Sequence, residues 1–267
     1  MRRSRPTLVV VTDAELSAHL RANIVAYKQF QTARGSLRHL GLPGLWAFAQ
    51  PSHPETISQQ QVLFEEAGAL EAALPHLEEF YRSHGVRLWR VLVPPGTPAV
   101  EQPLARAGYQ PEGDGTTAMG MSLEDAELVP PGIPLEELRT QEELIPVNEE
   151  AFGPGTSIHL QPWHAQSFPH IHIRGVREHG QLLAGGLAHD MGEVAGIYLV
   201  ATLTSARGRG LATEVMRGLL LDARHRGRTV AVLQATALGL GVYRRVGMRD
   251  LGAWVNWVRR LSAARAG

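Results

Sequence analysis

The residues best suited to chemistry lie in one run, Arg207-Gly208-Arg209-Gly210-Leu211-Ala212-Thr213. Its glycines let a backbone turn sharply and come close to a partner. Two guanidinium groups stand ready to pair with phosphate oxygens. If a helix begins near Leu211, its first turn adds unpaired N–H groups and the positive end of its dipole, which together hold a phosphate. The predicted chemistry is a pyrophosphate cradle; the plain alternative for Arg207 and Arg209 is a solvated helix start. Two other phosphate loops do not fit. A P-loop needs Gly-Lys-Ser/Thr, and Lys28 is the only lysine in the chain. A dinucleotide loop needs a third glycine, where Thr213 stands, and a ribose-binding acid about 20 residues on, where the next strand offers Gln234 and no carboxylate.

Other reactive groups are sparser. His159, His164, His170 and His172 form a histidine-rich stretch, and alternation puts the last two on one strand face. No carboxylate pattern accompanies them, so no metal site is expected; they line a polar pocket or the surface. The chain has no cysteine, which excludes disulfides, thiolate metal sites and a cysteine nucleophile. Trp163, Trp254 and Trp257 read as packing residues, with Trp163 in a loop that could cover a ligand.

These groups need elements to position them. Gly196-Ile-Tyr-Leu-Val-Ala-Thr-Leu203 is a short apolar run bounded by polar and glycine residues, hence a buried strand. Leu211, Val215, Met216, Leu219, Leu220 and Ala223 share one side of a following helix that Gly227 ends. Strand, glycine loop and helix together support the cradle. Upstream, a short strand at 8–11 leads to a helix with Thr12 or Asp13 as N-cap and Leu16, Leu20, Ile24 and Tyr27 or Lys28 on successive turns. Strands are predicted at Leu45–Ala49, Gln61–Phe64, Val86–Val93, Thr116–Leu123, Ile171–Val176, Leu182–Ala188 and Val230–Thr236. A helix over 69–84 should be kinked by Pro75, and a second is expected over 135–152, weakened by Pro146.

The order helix, Gly85, strand, short helix, Gly108, strand reappears as helix, Gly227, strand, short helix, Gly247, strand, which predicts an internal duplication. Residues 1–125 and 135–267 form the two halves, joined by a proline-rich linker at 126–134. With 267 residues and 44% hydrophobic content the chain can build a sizeable core. Basic and acidic residues balance at 26 each, so no global field draws it to nucleic acid or an anionic membrane. The basic start gives way to Thr12-Asp13 before a signal peptide or spanning helix could form, which predicts a cytoplasmic protein, monomer or homodimer.

At this point the sequence resembles the GNAT superfamily of N-acetyltransferases. Arg207, Gly210 and Ala212 meet its coenzyme signature in order, and Tyr243-Arg-Arg-Val-Gly-Met248 is similar to its Tyr-to-Gly-Phe ending, with Met248 where Phe is usual. The resemblance implies a mixed α/β fold: two GNAT-like domains, each a twisted, mostly antiparallel sheet flanked by helices, with a splayed pair of strands in the C-terminal one. It implies acetyl-CoA as co-substrate, held by Arg207 through Thr213 and by the main chain of Val200, Ala201 and Thr202. It also implies an amine acceptor attacking directly in a ternary complex, with Tyr243 as the acid that protonates the leaving thiolate.

The first half lacks a glycine loop and has Leu104 in place of Tyr243, so it is expected to be a degenerate partner without coenzyme; the plain alternative is an unrelated α+β domain. Many relatives carry a glutamate where Gly196 stands. Glu193, His189, Tyr198 or the Glu149-Glu150 pair could act as base through a water, or a neutral amine could bind directly. Two alternatives stand beside this reading: a non-catalytic acyl-CoA-binding module, and transfer of a different acyl group.

Overall fold

The computed structural model describes residues 11–113, 115–153 and 161–262. The strand expected at 8–11 lies almost wholly outside them, and so does His159. The first half comprises α1 (Asp13–Thr32), β1 (Arg38–Leu42), β2 (Leu45–Ala49), β3 (Gln61–Phe64), α2 (Ala67–Ser83), β4 (Leu88–Val93), α3 (Glu101–Arg106), β5 (Gln110–Pro111) and β6 (Thr116–Ser122). The second comprises β7 (Glu136–Leu138), α4 (Ile145–Phe152), β8 (Ile171–Glu178), β9 (Gln181–Met191), β10 (Val194–Thr202), α5 (Leu211–His225), β11 (Val230–Ala235), α6 (Leu240–Arg245) and β12 (Arg249–Arg260).

Local chemistry explains most of these boundaries. Thr12 Oγ accepts the Glu15 amide at 3.2 Å while the Glu15 carboxylate accepts the Thr12 amide at 2.8 Å, a capping box that starts α1. Gly227, with φ of +80°, follows α5 as expected of a C-terminal glycine. Pro75 lies inside α2 on its exposed side, and the helix continues through it to Ser83. The helix expected over 135–152 is instead β7, a 3-10 turn at Gln141–Leu144 and then α4. Pro146 falls in the first turn of α4, where its missing N–H costs nothing.

All strands join one 12-stranded sheet in the order β1-β2-β3-β4-β12-β6-β11-β10-β9-β8-β7, with β5 pairing β12. Most neighbours are antiparallel. The parallel pairs are β3 with β4 and β10 with β11, each joined through a helix, α2 in one half and α5 in the other. The closing strands then cross between the two stretches of chain. β6, from the first half, pairs β11 of the second through Val230↔Ser122 to Ala235↔Thr117. The far half of β12 pairs β4 of the first through Val255↔Val93 to Arg260↔Leu88. Strand membership thus crosses the linker that separates the halves in sequence.

Two layers of helices cover this sheet. Leu16, Leu20 and Ile24 of α1 pack on Phe48, Leu63 and Leu92 of the first half and on Val194, Val230 and Val232 of the second. Alternate residues Ala195, Ile197, Ala231 and Leu233 face the other way, into the core beneath α5. Leu211, Val215, Met216, Leu219, Leu220 and Ala223 of α5 all reach that core, as their spacing predicts. Helix α1 is the element that matters for the site: it lies across both halves, on the face opposite α5. Burying each of its large apolar side chains contributes roughly 1.5–3 kcal/mol.

Candidate active site

The site begins where β10 and β11 part. Their register runs Val194↔Val230, Ala195↔Ala231, Gly196↔Val232 and ends there. From Ile197 onward β10 is paired only with β9, and that pairing shifts register between Tyr198 and Ala201. Leu199 sits at the shift with φ of +57°, a backbone state uncommon outside glycine, and its carbonyl accepts Asn148 Nδ2 at 3.2 Å. The bulge swings Val200, Ala201 and Thr202 along an open edge where a ligand's amides could take the place of strand β11.

That edge leads into the glycine loop. Thr204 to Ala206 form a 3-10 turn, and the Thr204 amide donates to Glu150 Oε1 at 2.7 Å. Gly208 and Gly210 have φ of +78° and +79°, which a side chain would strain. Gly210 caps α5, accepting the amides of Thr213 at 2.9 Å and Glu214 at 3.2 Å. The Thr213 amide is therefore occupied. Among the described residues, the amides of Gly208, Arg209, Gly210, Leu211 and Ala212 have no main-chain acceptor. Arg209 pairs with Glu178, which holds that carboxyl below its usual range, whereas Arg207 is exposed with no ion-pair partner among the described residues.

Tyr243 stands just beyond β11, on α6, with its ring against Gly239; a Cβ on that glycine would lie 2.7 Å from Tyr243 Cε2. Burial pushes its phenol up to about 12, so it stays protonated at neutral pH. No described residue hydrogen-bonds its hydroxyl. The group is a proton donor with its proton unspent.

On the α1 face, above the parting strands, lies a cavity of about 220 Å³ lined by α1, the loop before β3, the segment 161–164 and the start of the β10 bulge. Trp163 lines it, its Nε1 donating to Ser36 Oγ at 2.6 Å, so this tryptophan of the predicted covering loop does reach the pocket. Tyr198 and Leu199 also line it, together with Gln234 from the end of β11. Beside it, Asn23 of α1 is fully buried. Its Nδ2 donates to the His189 carbonyl at 3.1 Å and its Oδ1 accepts the Tyr198 hydroxyl at 2.7 Å. A Cβ at Gly196 would strike Asn23 Oδ1. That is the physical reason for glycine at position 196: α1 has taken the space.

The candidate bases fare unequally. Glu193 lies at the opposite end of β10 from the bulge, exposed, near Thr229 and His19. Glu150 is engaged with the turn at Thr204. Tyr198 is held far above the usual phenol range by burial. Burial pushes both His164 and His189 down to about 4 from an ordinary 6.5. The unfolded chain then binds more protons than the folded one between those values, so stability is complete above pH 6.5 and falls as pH drops toward 4. Urea midpoints at pH 7, 6, 5 and 4 should decline across that window, and the decline should shrink in His189→Gln.

Histidines His170 and His172 part company. His170 packs edge-on against Phe30 with centroids 4.9 Å apart, and His172 Nε2 lies 3.5 Å from Asp190 Oδ2. No three-member cluster of metal-binding side chains occurs among the described residues. The cavity's contribution from α1 was not read from sequence as a site, although one signal was available: Lys28 carries a charge on an otherwise apolar stripe, four residues after Ile24.

Residues 142–249 match the model of the acetyltransferase (GNAT) domain family. Comparison with curated proteins finds no match. Similar solved structures include a GCN5-related N-acetyltransferase from Kribbella flavida, 17% identical, covering 92% of this chain and 97% of its own, with a TM-score of 0.63. Another, from Sphaerobacter thermophilus, is 17% identical, covers 94% of each chain and has a TM-score of 0.60. A tandem GNAT protein from the clavulanic acid biosynthesis pathway is 14% identical, covers 96% and 98%, and has a TM-score of 0.54. At these identities the structures testify to a shared fold.

Proposed function

We propose that the chain, whose residues 142–249 match the acetyltransferase (GNAT) domain family, is an acyltransferase that moves an acetyl group from acetyl-CoA to the amine of a small acceptor by direct attack in a ternary complex. The observation that carries this reading is the parting of β10 and β11 after Gly196 and Val232, beside the free amides at the start of α5. A pyrophosphate on those amides would let the pantetheine arm follow Val200, Ala201 and Thr202 through the gap. The thioester would then meet the cavity on the α1 face. Main-chain N–H groups at the bulge polarise the carbonyl, the amine nitrogen bonds to it as the C–S bond breaks, Tyr243 protonates the departing sulfur, and the proton shed by the new amide nitrogen returns through water to the phenol.

The proposed mechanism takes the acceptor as a neutral amine and assigns no side chain as its base. No carboxylate lines the cavity among the described residues, and positive charge near the pocket favours loss of the ammonium proton before attack. The N-terminal half is proposed to bind no coenzyme. Glu65 and Glu66 precede α2 where the second half has its glycine loop, and their charge suits that helix start in place of a phosphate.

The experiment is thiol release from acetyl-CoA across a panel of amines, read with a thiol-reactive dye; the cysteine-free chain gives no background. Intersecting initial-rate patterns are expected. Tight coenzyme binding with no acceptor turned over would favour the non-catalytic module, and faster turnover of another thioester would change the acyl group. Arg207→Ala should raise the dissociation constant of coenzyme A about tenfold, the loss of one charge-assisted contact to phosphate. Equal affinity by calorimetry would remove Arg207 from the cradle.

A further inference from the structure

The cavity on the α1 face is built to an uncommon recipe. Its polar lining is dominated by glutamine side chains, among them Gln50, Gln59, Gln141 and Gln234, and it includes Lys28, the only lysine of the chain. No Asp or Glu lines it among the described residues. Lys28 is 7% exposed, and its Nζ donates to Gln59 Oε1 and to the Ser58 carbonyl. These are neutral acceptors. A buried ammonium normally has a counter-charge, because leaving water without one is costly.

A second cation deepens the imbalance. Arg90 of β4 lies near enough to act on Lys28 electrostatically, and its Nε is buried with no partner. Its Nη1 donates to Asn256 Oδ1 at 3.3 Å, again a neutral partner. Gln50 adds a third unsatisfied group. It is 3% exposed, lines the cavity, and its Oε1 is buried without a hydrogen bond. The pocket therefore lacks one anion for Lys28 and one N–H or O–H donor for Gln50.

We propose that the acceptor amine carries a carboxylate, in the manner of an amino acid, and that Lys28 receives this carboxylate while Gln50 Oε1 accepts a hydrogen bond from an N–H or O–H of the ligand. The inference rests on the acyl-transfer reading and gives it a substrate class. Burial and the nearby Arg90 push Lys28 down to about 7, as expected of a cation awaiting an anion. A polyamine or a lysine side chain as acceptor would add positive charge to a site that already holds an excess. The carboxylate also orients the molecule, because Lys28 on α1 and the bulge at Leu199 both line the cavity.

The test uses the full chain and matched pairs. In the thiol-release assay, α-amino acids are compared with their carboxamides of the same side chain, and in a binding arm, N-acetylated amino acids are compared with their N-acetylated amides. The single lysine gives one side-chain signal in protein labelled at lysine Cε, which reports binding without any turnover. Carboxylates should shift that signal and outperform the amides by about tenfold or more, the usual scale for a hydrogen bond to a charged group. Lys28→Met should lose the preference and Lys28→Arg should keep it, with circular dichroism confirming that both fold. Equal performance of acids and amides overturns the inference while leaving acyl transfer intact. An unmoved lysine signal at saturating carboxylate overturns it as well. A moved signal with no amine acetylated would keep the anion site and sink the transfer reaction instead.

Discussion

If the proposed reaction holds, Tyr243→Phe should lower kcat for acetyl transfer by about a hundredfold at pH 7, the lower end of what a positioned general acid contributes. The leaving thiol is of the kind that ionises near pH 8.5, so the departing thiolate gains most from a proton donor below that value. The deficit should shrink as pH rises past about 9, where thiolate is stable in water without help. Burial keeps the Tyr243 phenol protonated throughout this range. Coenzyme affinity should be unchanged, because no described residue depends on the hydroxyl, and thermal stability should fall by less than about 1 kcal/mol. A variant with wild-type kcat would free Tyr243 of the acid role and leave it as a packing residue between α5 and α6.

The second large effect concerns the vacant acid position. Gly196→Glu, which installs the carboxylate that the sequence resemblance leads us to expect, should destabilise the protein by about 3 kcal/mol and should not raise activity. Asn23 would have to withdraw, breaking its bonds to the His189 carbonyl and the Tyr198 hydroxyl inside the interface between α1 and the sheet. Asn23→Ala removes the obstacle. The double variant should therefore cost clearly less than the two single changes added together, the signature of direct contact in a double-mutant cycle. Additive urea midpoints would mean that Asn23 is not what keeps position 196 bare.

Local features of this chain were readable because short-range chemistry decides them. Thr12 and Glu15 write the start of α1, Gly227 writes the end of α5, and the positive φ of Gly208 and Gly210 follows from a loop that must turn twice in three residues. The apolar face of α5 follows from helical spacing alone. The pocket was not readable in the same way. Asn23 meets His189 across 166 positions, and Tyr27 meets Gln141 across 114. Nothing in the local pattern around Lys28 says which loop it will face. Strand partnership was equally hidden, since β6 and β12 both read as closing strands and only packing decides which sheet edge each one fills. The helix expected over 135–152 shows the opposite error: helical spacing was present, but Pro146 and the pairing of β7 with β8 limited it to its last two turns.

The exchange of closing strands bears on how such a protein can be cut and inherited. A fragment carrying only residues 135–267 would keep β12 yet lose β6, so the parallel pair beside the glycine loop would be left with a bare flank at β11. The first half cut free would be stripped beside β4 in the same way. Each half thus finishes the other, and a lineage that discarded either one would leave the sheet of the survivor with an unpaired edge.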